Sequence, residues 1–572
     1  MNSVRTYLVC LLIICLFNAN GQKAINNSVI NAYKYSTQKT ITCNNGAVVS
    51  AHALASQAGV SILKKGGNAV DAAIATQLAL AVVYPGAGNI GGGGFMVAKL
   101  QNGKNIALDY REKAPSAAGR DMYLDATGNP LMDLSQNGHL AAGVPGTVAG
   151  LFASLKYAKL PFKTLIEPAI TLAEKGFAIS ESEASSLNEA KAEFTKYNTV
   201  QPAFVRDAVW KTGDTLIQTD LANTLKRIRD MGQKGFYEGE TARLIVEEMK
   251  RGKGLVTYDD LKNYQAKERV ALTFPYKGYI ILTMPLPSSG GIIINQTMKM
   301  IEDKNIAKMG FQSLAAVHLM VEAERRAYAD RAAFMGDDDF VKVPVKKLTS
   351  DAYIRERMSD FDASKAGSSD VIKEGDIKHE SEETTHLSII DKEGNAVSVT
   401  TTLNNHYGGK TIVGHAGFLL NDEMDDFSVK PGVPNMYGAI GAEANAIAPG
   451  KRMLSSMTPA IVLKNNKPFI VLGTPGGTTI PTSVYQTLVN MLEFNLSTSD
   501  AVYQPKFHHQ WKPDEIYAEK GFPDKIVEEL KGMGYKVTVR GKIGRTEVIK
   551  VLPNKKFEAV ADNRGDDGAE GY

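Results

Sequence analysis

The sequence predicts a mixed protein of helices and β-hairpins, an α/β (α+β) fold. At 572 residues, 44% of them hydrophobic, the chain can bury a large core, and ordinary domain sizes allow roughly two to four structural units. Alanine-rich helical patterning runs over residues 51–80, with a break at 66–67, and most of the stretch 151–370 also has a helical pattern. Two pairs of apolar, β-branched runs, at 95–108 and 385–403, flank turn residues and predict hairpins.

The first 22 residues have the pattern of a secretory signal. Arg5 is followed by an apolar stretch over 7–17 and then by the small-residue sequence Ala19-Asn20-Gly21. This apolar stretch is too short to span a bilayer. We therefore expect cleavage near Gly21, secretion to the periplasm or the extracellular space, and no stable membrane span.

Charge and cysteine content exclude several classes of protein. The net charge of +3, without a basic tail or an aromatic-basic alternation, argues against a nucleic-acid partner. Cys10 and Cys15 lie within the signal and follow Val9 and Ile14 rather than small residues, which disfavours lipidation. The mature chain keeps only Cys43, which excludes an intramolecular disulfide and a cysteine-rich metal site.

A glycine-rich run follows the two predicted helices. Gly86, Gly88 and Gly91 spell the G-x-G-x-x-G pattern of dinucleotide sites, but that site needs a strand before the glycines and a helix after them. Here a helix and Pro85 precede, and the hairpin at 95–108 follows. We interpret the glycines as positions where a strand runs very close to another backbone or to a substrate.

The first hairpin ends just before Arg111. An arginine where a strand leaves a sheet is usually a surface ion pair, but it is also the natural fork for a substrate carboxylate. Both interpretations remain open at this stage.

Two other clusters resemble metal sites only weakly. The aspartates at 337–339 are consecutive, so we do not expect all three to point one way and predict a solvated turn. His508 and His509 are adjacent rather than one helical turn apart, which argues against shared ligation of one ion and favours structural roles. No metal site is predicted.

The second hairpin follows an abrupt change in the chain. Residues 375–383 are charged and poor in apolar side chains, whereas 385–390 is apolar and β-branched, so Thr384 stands where an exposed linker becomes a buried strand. Cleavage between Glu383 and Thr384 would leave Thr384 with a free α-amine, whose reference pKa of about 7.7 to 8 suits a base at neutral pH. One residue would then supply both nucleophile and base. The alternative is that Thr384 merely begins an ordinary strand.

Three later stretches carry chemical groups. Residues 419–428 hold four carboxylates, 452–459 a serine pair, and 472–479 a glycine turn. The turn resembles a phosphate loop but lacks its lysine. Two adjacent glycine N–H groups at the end of a strand suit an oxyanion hole instead.

In this order, the motifs resemble those of the γ-glutamyltranspeptidases, a family of the N-terminal nucleophile (Ntn) hydrolase superfamily. The matching pieces are GNAVDAA, AGNIGGGGFM, LDYRE, MPLPSSGG, TTHLS, NDEMDDFS, PGVPNMYG, LSSM, GTPGG and the C-terminal Gly571-Tyr572. Each piece alone would be weak, but the ordered set covers essentially the whole mature chain.

The resemblance implies an αββα four-layer sandwich of two central sheets, formed jointly by two subunits of one self-cleaving precursor. Residues 1–21 would be the signal peptide, 22–383 the large subunit and 384–572 the small, catalytic subunit of a heterodimer. It further implies a γ-glutamyl transferase and hydrolase that takes glutathione and related γ-glutamyl compounds as donors, with amino acids, dipeptides or water as acceptors. This chemistry requires no cofactor and no metal.

The resemblance also implies roles for single residues. Thr384 would be nucleophile and base, Thr402 would hydrogen-bond to its hydroxyl or amine, and Gly476 and Gly477 would supply the oxyanion N–H groups. The remaining assignments concern the donor: its α-carboxylate would meet Arg111, Ser455 and Ser456, its α-ammonium would meet Asn404, Glu423 and Asp426, and Tyr437 of the lid loop 431–441 would shield it. Glu423 stands where some bacterial members have glutamine, which preserves an acceptor for the ammonium.

Two alternatives from other functional classes remain. A related acylase, acting on glutaryl or similar side chains of cephalosporin-type β-lactams, would share the nucleophile but would have no amino group to hold, so Asn404, Glu423 and Asp426 argue against it. A non-catalytic secreted binding protein on a degenerate fold is opposed by the intact Thr384 and glycine pair.

Overall fold

The computed structural model describes residues 30–372 and 384–572. The predicted signal segment 1–21, the linker at 375–383 and Glu383 therefore lie outside the described residues. The elements below belong to one unit, Ala32–Tyr572. Within the two described ranges, no helix combines the length and the apolar character needed to cross a bilayer.

The described residues form nineteen strands, most of them short. They are β1 Thr40–Cys43, β2 Gly46–Ser50, β3 Gly93–Lys99, β4 Asn105–Asp109, β5 Phe177–Ala178, β6 Thr215–Leu216, β7 Lys267–Arg269, β8 Leu272–Tyr276, β9 Tyr279–Thr283, β10 Thr385–Asp391, β11 Ala396–Thr402, β12 Ala460–Lys464, β13 Lys467–Gly473, β14 Phe507–His508, β15 Ile516–Glu519, β16 Val537–Arg540, β17 Glu547–Val551, β18 Phe557–Val560 and β19 Gly568–Gly571.

Nineteen α-helices accompany these strands in the same part of the chain. They are Ala53–Lys64, Ala69–Val83, Met132–Gln136, Thr147–Ser154, Phe162–Lys175, Glu181–Glu189, Lys191–Tyr197, Thr219–Met231, Lys234–Tyr237, Gly239–Gly252, Tyr258–Lys262, Gly290–Ile301, Ile306–Met309, Leu314–Phe334, Val345–Leu348, Asp351–Arg357, Thr479–Leu492, Thr498–Tyr503 and Asp524–Gly532.

Two seven-stranded sheets dominate the molecule. One has the strand order β1-β18-β17-β13-β12-β9-β8 and the other β19-β2-β10-β11-β3-β4-β7. Every neighbouring pair in both sheets is antiparallel. Strands from before and after residue 384 are interleaved: β2 lies between β19 and β10, and β3 pairs with β11. The hairpin of β10 and β11 therefore occupies the middle of its sheet.

The two sheets pack face to face, and helices cover their outer faces. Val97 and Ile390 of one sheet share a buried core with Val471 of the other. Helix Thr479–Leu492 packs on the outer face of the first sheet, and helix Ala69–Val83 contacts β10 and β11 of the second. The αββα order implied by the resemblance is confirmed, and it explains why every residue of β10 and β11 is buried.

Both hairpins predicted from the sequence are confirmed. The first is β3 with β4, and the second pairs β10 with β11 from Thr385 opposite Thr401 to Ile390 opposite Ala396. The interpretation of 151–370 as mostly helical was incomplete, because β7, β8 and β9 lie within it. β8 and β9 are strands of the first sheet, and β7 is an edge strand of the second. A short apolar run such as that of β9 fits a helix and a strand equally well by periodicity alone.

The glycine run permits close contact between backbones. A Cβ on Gly92 would lie 2.1 Å from the carbonyl oxygen of Thr402, and one on Gly94 would lie 2.5 Å from that of Thr400. β3 begins at Gly93, so a strand and not a helix follows the glycines, and the dinucleotide pattern is rejected. Only glycine lets β3 lie directly against the end of β11.

Residues 338–340 form a turn in which Asp338 and Asp339 are exposed, as predicted, but the expectation that the three aspartates at 337–339 would not point one way was wrong. Their carboxylate oxygens lie within 4.8 Å of one another, and Asp337 is buried. Arg269 lies among them, at 3.7 Å from Asp337, 3.1 Å from Asp338 and 2.9 Å from Asp339. Consecutive carboxylates can therefore converge, and here they converge on a guanidinium of the chain itself.

The two adjacent histidines have structural contacts, as predicted. His508 is buried, and its ring nitrogens lie 2.8 Å from the Thr482 hydroxyl and 2.8 Å from the Gln510 side-chain oxygen. His509, also buried, lies 3.3 Å from Asp514. The two rings thus have separate protein partners.

Candidate active site

The predicted nucleophile stands at the start of the central hairpin. Thr384 directly precedes β10, and the register that pairs Thr385 with Thr401 puts Thr384 opposite Thr402, the last residue of β11. Thr384 is 4% exposed and Thr402 is 3% exposed. The Thr402 hydroxyl accepts a hydrogen bond from the N–H of Asn404 at 2.7 Å, which fixes its orientation. Sheet register thus brings the two predicted threonines together.

The glycine turn joins β13 to helix Thr479–Leu492. The φ angles of Gly476 and Gly477 are +136° and +50°, a region that favours glycine. The Gly476 carbonyl accepts hydrogen bonds from the N–H and the hydroxyl of Thr479 at 2.8 and 2.7 Å. Across residues 30–372 and 384–572, neither glycine N–H donates to a backbone carbonyl. Two such N–H groups at the positive end of a helix suit a developing oxyanion.

One small cavity gathers most of the predicted site residues. Those in its lining are Arg111, Thr384, Thr402, Asn404, Asp426, Tyr437, Ser455, Ser456 and Gly477. Two predicted residues are absent from this lining: Glu423, which has no exposed surface, and Gly476, which lines a neighbouring cavity. The small cavity measures about 20 Å³, enough for about one water molecule. A larger ligand therefore enters only when the lining moves.

Arg111 is already paired, and its partners include the acids predicted to hold an ammonium. Its guanidinium contacts the carboxylates of Glu423 and Asp426, and lies 3.4 Å from that of Glu112. Its backbone N–H donates to Asp109 Oδ1 at 3.0 Å, which fixes the residue where β4 ends. At 1% exposure Arg111 is not a surface ion pair. The cationic and anionic halves of the predicted site neutralise each other, a contact that the sequence analysis did not predict.

Carboxyl groups outnumber the guanidinium in this cluster. Burial raises the pKa of Glu423 well above its ordinary value and raises that of Glu112 to about 7, although Arg111 opposes both shifts. Burial also raises the pKa of Asp426. Burial alone would lower the pKa of Arg111, but Glu423 and Asp426 outweigh it and raise that pKa. A cluster in which three carboxyls share one cation favours the binding of another cation, such as an ammonium.

A second arginine lines the same cavity and was missed by the sequence analysis. Arg331 is 6% exposed, and it donates from Nε to the Ser289 hydroxyl at 3.1 Å and from Nη2 to the Ser456 hydroxyl at 3.3 Å. Burial lowers its pKa, and no carboxylate of the described residues forms an ion pair with it. The sequence feature that could have indicated Arg331 is its helix, Leu314–Phe334. This helix carries charges on every face, so some of them have to be buried.

The serine pair is held by the segment 284–291, for which no role was predicted. The Ser455 carbonyl accepts from the N–H of Ser289 at 2.7 Å and from its hydroxyl at 2.8 Å. The Ser455 N–H donates to the Pro287 carbonyl at 2.8 Å. This backbone pairing fixes Ser455 and Ser456 next to Arg331.

Tyr437 lines one side of the cavity. Its hydroxyl donates to the Asn404 carbonyl, and a Cβ on Gly477 would lie 2.8 Å from its ring. The same loop is tied to the acid cluster, because Asn435 Nδ2 donates to Asp426 Oδ1 at 3.0 Å. The predicted lid therefore rests on the glycine turn and on the charged cluster at once.

Comparison with known proteins finds close similarity along most of the chain. A family model described as Gamma-glutamyltranspeptidase matches residues 55–572. The glutathione hydrolase proenzyme of Escherichia coli (strain K12) is 45% identical over 537 residues, 93% of this chain and 93% of that protein. The solved structure of Helicobacter pylori gamma-glutamyltranspeptidase is 44% identical, with a TM-score of 0.56 over 59% of this chain and 96% of that chain. The cephalosporin acylase from Bacillus halodurans is 25% identical, with a TM-score of 0.80 over 94% of this chain and 98% of that chain.

Proposed function

Because this chain belongs to the γ-glutamyltranspeptidase family, and is therefore a γ-glutamyl transferase and hydrolase, we propose that it cleaves glutathione and related γ-glutamyl compounds through an ester on Thr384. One observation carries the proposal. Thr384, opposite Thr402, shares a small cavity with Gly477 and with the charged groups Arg111 and Asp426. The acceptors of the γ-glutamyl group are amino acids, dipeptides or water.

The enzyme is made as a precursor that cuts itself between Glu383 and Thr384. The Thr384 hydroxyl attacks the Glu383 carbonyl, and the C–N bond breaks to give an ester on Oγ1 and the free α-amine of Thr384. Water then hydrolyses the ester, which frees the Glu383 carboxylate and restores the Thr384 hydroxyl. The position of Thr384 before a buried strand supports this step, as does the proenzyme name of the Escherichia coli relative. The products are a large subunit, 22–383, and a small subunit, 384–572. Residues 1–21 direct secretion to the periplasm or the extracellular space.

The donor's amino-acid head exchanges with the internal ion pairs of the cavity. Its α-ammonium takes the place of Arg111 beside Glu423 and Asp426, and its α-carboxylate in turn pairs with Arg111. The other groups that face the head are Asn404 for the ammonium and Ser455, Ser456 and Arg331 for the carboxylate. A zwitterion supplies both charges that the protein groups lose, whereas a ligand with a single charge leaves one buried group unpaired.

The γ-carbonyl then lies at Thr384. The α-amine takes the hydroxyl proton as Thr384 Oγ1 bonds to the carbonyl carbon, and the N–H groups of Gly476 and Gly477 stabilise the oxyanion. The C–N bond breaks, and the leaving amine takes up the proton. Water or a new amine later attacks the γ-glutamyl ester and restores the threonine.

A comparison of two substrates tests this function against the acylase alternative, which the structural likeness to cephalosporin acylase keeps relevant. A glutaryl anilide differs from the γ-glutamyl anilide only by the missing α-amine. We expect kcat/KM to favour the γ-glutamyl compound at least about a hundredfold, or roughly 2.7 kcal/mol. Asp426→Asn should shrink this preference by slowing γ-glutamyl turnover alone. Equal rates on both anilides in the wild-type enzyme would favour the acylase.

A further inference from the structure

The lid loop 431–441 and the oxyanion turn meet at one buried side chain, that of Gln510. Gln510 is 4% exposed and lies two residues after β14. Its Oε1 accepts a hydrogen bond from the Thr478 hydroxyl at 2.6 Å, and its Nε2 donates to the Tyr437 carbonyl at 3.1 Å. Thr478 directly follows Gly477, and Tyr437 lines the small cavity. One amide therefore contacts both the turn and the lid.

The orientation of this amide follows from its neighbours. The Tyr437 carbonyl can only accept, so the NH₂ group of Gln510 faces the lid and the oxygen faces Thr478. His508 Nε2 lies 2.8 Å from the same oxygen, while Nδ1 of that ring lies 2.8 Å from the Thr482 hydroxyl. Burial lowers the pKa of His508 to about 3, so the ring is neutral and carries its one hydrogen on Nε2, toward Gln510. Thr482 belongs to the helix that follows the turn, so the amide is fixed from the side of the turn.

Gln510 is bound more firmly to the turn than to the lid. It accepts two hydrogen bonds from the side of the turn and donates one, the longest of the three, to the lid. The Thr478 carbonyl also accepts a hydrogen bond from the Tyr328 hydroxyl, which ties residue 478 to helix Leu314–Phe334. The small cavity holds about one water molecule, so its lining has to move before a donor enters. When the lid is the part that moves, Gln510 loses Tyr437 and stays with the turn.

We propose that Gln510 is a positioning residue with two separate roles: its oxygen holds the oxyanion turn through Thr478, and its NH₂ group is the contact to which the lid returns over the donor. The inference rests on the proposed function. The Gly477 N–H has to lie about 3 Å from the developing oxyanion, so a looser Thr478 should lower kcat. A lid without its contact to Gln510 should spend less time over the donor, which weakens donor binding and raises the KM. The oxygen thus acts on the rate and the NH₂ group on the affinity.

The test separates these two roles by steady-state hydrolysis of the γ-glutamyl anilide, with rates expressed per cleaved small subunit on an SDS gel. Gln510→Met has a similar length but no N–H donor and no strong acceptor. It should lower kcat about three- to tenfold and raise the donor KM about threefold or more, as for the loss of single hydrogen bonds. Thr478→Val removes the hydroxyl, while His508 still holds the amide against Tyr437. It should lower kcat by a similar factor with an unchanged donor KM.

Two controls accompany these variants. Thr478→Ser keeps the hydroxyl and should restore kcat to within about twofold of the wild type. Gln218→Met changes another buried glutamine, which is 2% exposed and donates to the backbone carbonyl of Val82 at 2.7 Å. Gln218 lies outside the linings of the small cavity and of its neighbour. Its substitution should change neither kcat nor the donor KM.

Four results would each overturn the inference. They are an unchanged donor KM in Gln510→Met, an unchanged kcat in Thr478→Val, a rise in KM that is equally large in these two variants, and equal losses in Gln218→Met. The two threonine variants decide the outcome if Gln510→Met does not fold. A wild-type protein that does not hydrolyse the γ-glutamyl anilide would overturn the proposed function itself.

Discussion

The two cavities beside the Gly476-Gly477 turn differ in how far their charges are satisfied before anything binds. In the small cavity Arg111 is paired with acids, Tyr437 contacts Asn404 and the Gly477 turn, and about 20 Å³ remain. In the larger neighbouring cavity, which Gly476 lines, about 500 Å³ remain, and the ammonium of Lys542 donates to the backbone carbonyl of Arg564 without a carboxylate partner among the described residues. A ligand of the first has to replace internal ion pairs, whereas a ligand of the second adds a contact. The first arrangement suits strict selection of the donor's charged head.

Thr384→Ala should have the largest effect, because it removes the nucleophile on which hydrolysis and transfer both depend. Hydrolysis and transfer should both fall at least about a thousandfold. The purified variant should also run as one full-length band on an SDS gel, while the wild type gives two. Thr384→Ser, which keeps a hydroxyl, is the control and should still be cleaved. A wild-type enzyme that is active as a single uncut chain would contradict the self-cleavage proposal.

Gly477→Ala should disturb the glycine turn that lies between the two cavities. The added Cβ would lie 2.8 Å from the Tyr437 ring in a backbone with φ of +50°, so the turn or the lid has to move. Loss of one oxyanion donor lowers kcat by about 100- to 1000-fold, and we expect the lower end for hydrolysis and transfer alike. Gly278→Ala is the control for backbone strain, since its φ is +84° and its Cβ would meet no atom within 4 Å. Equal losses in the two variants would remove Gly477 from catalysis.

Arg111→Lys should weaken the binding of the donor and leave the binding of the acceptor unchanged. Lysine keeps the charge but loses the planar fork that contacts two carboxylates at once, so we expect the KM for γ-glutamyl donors to rise about tenfold. The KM for glycylglycine should not change, because the γ-glutamyl head of the ester still occupies the groups around Arg111 when the acceptor binds. Steady-state kinetics with donor and acceptor varied in turn provides the measurement. A donor KM equal to that of the wild type would exclude Arg111 from head recognition.

Arg331→Lys should have the smallest effect. Lysine has one nitrogen in place of the separate Nε and Nη2 that reach Ser289 and Ser456, so the serine pair loses part of its support while the buried positive charge remains. We expect a donor KM about threefold higher, with kcat unchanged, because the charge stays and the net contribution of a typical hydrogen bond is about 0.5 to 1.5 kcal/mol. A change in kcat instead of KM would indicate a role in positioning Thr384.

Sequence analysis predicted the parts of the site that the backbone defines. The central hairpin follows from β-branched runs around a turn, and the oxyanion turn follows from two adjacent glycines after a strand. The contact between Arg111 and Glu423 joins residues far apart in the chain and depends on how the sheets and the lid pack, so no local pattern reports it. Arg331 could not be predicted either, because its helix has no distinct polar face that would tell buried charges from exposed ones. The contacts of the aspartates around Arg269 likewise depend on packing between distant parts of the chain.

The interleaved strands have a consequence for the molecularity of unfolding. A cut before Thr384 leaves β2 of one subunit between β19 and β10 of the other, and β9 beside β12 in the second sheet. Neither subunit then has a complete core, so the pair should melt in a single transition. Because that transition also separates two chains, its midpoint should rise with protein concentration, as it would not in an uncut precursor. Self-cleavage would thus turn a unimolecular folding equilibrium into a bimolecular one and make refolding of the mature enzyme depend on its two halves meeting again.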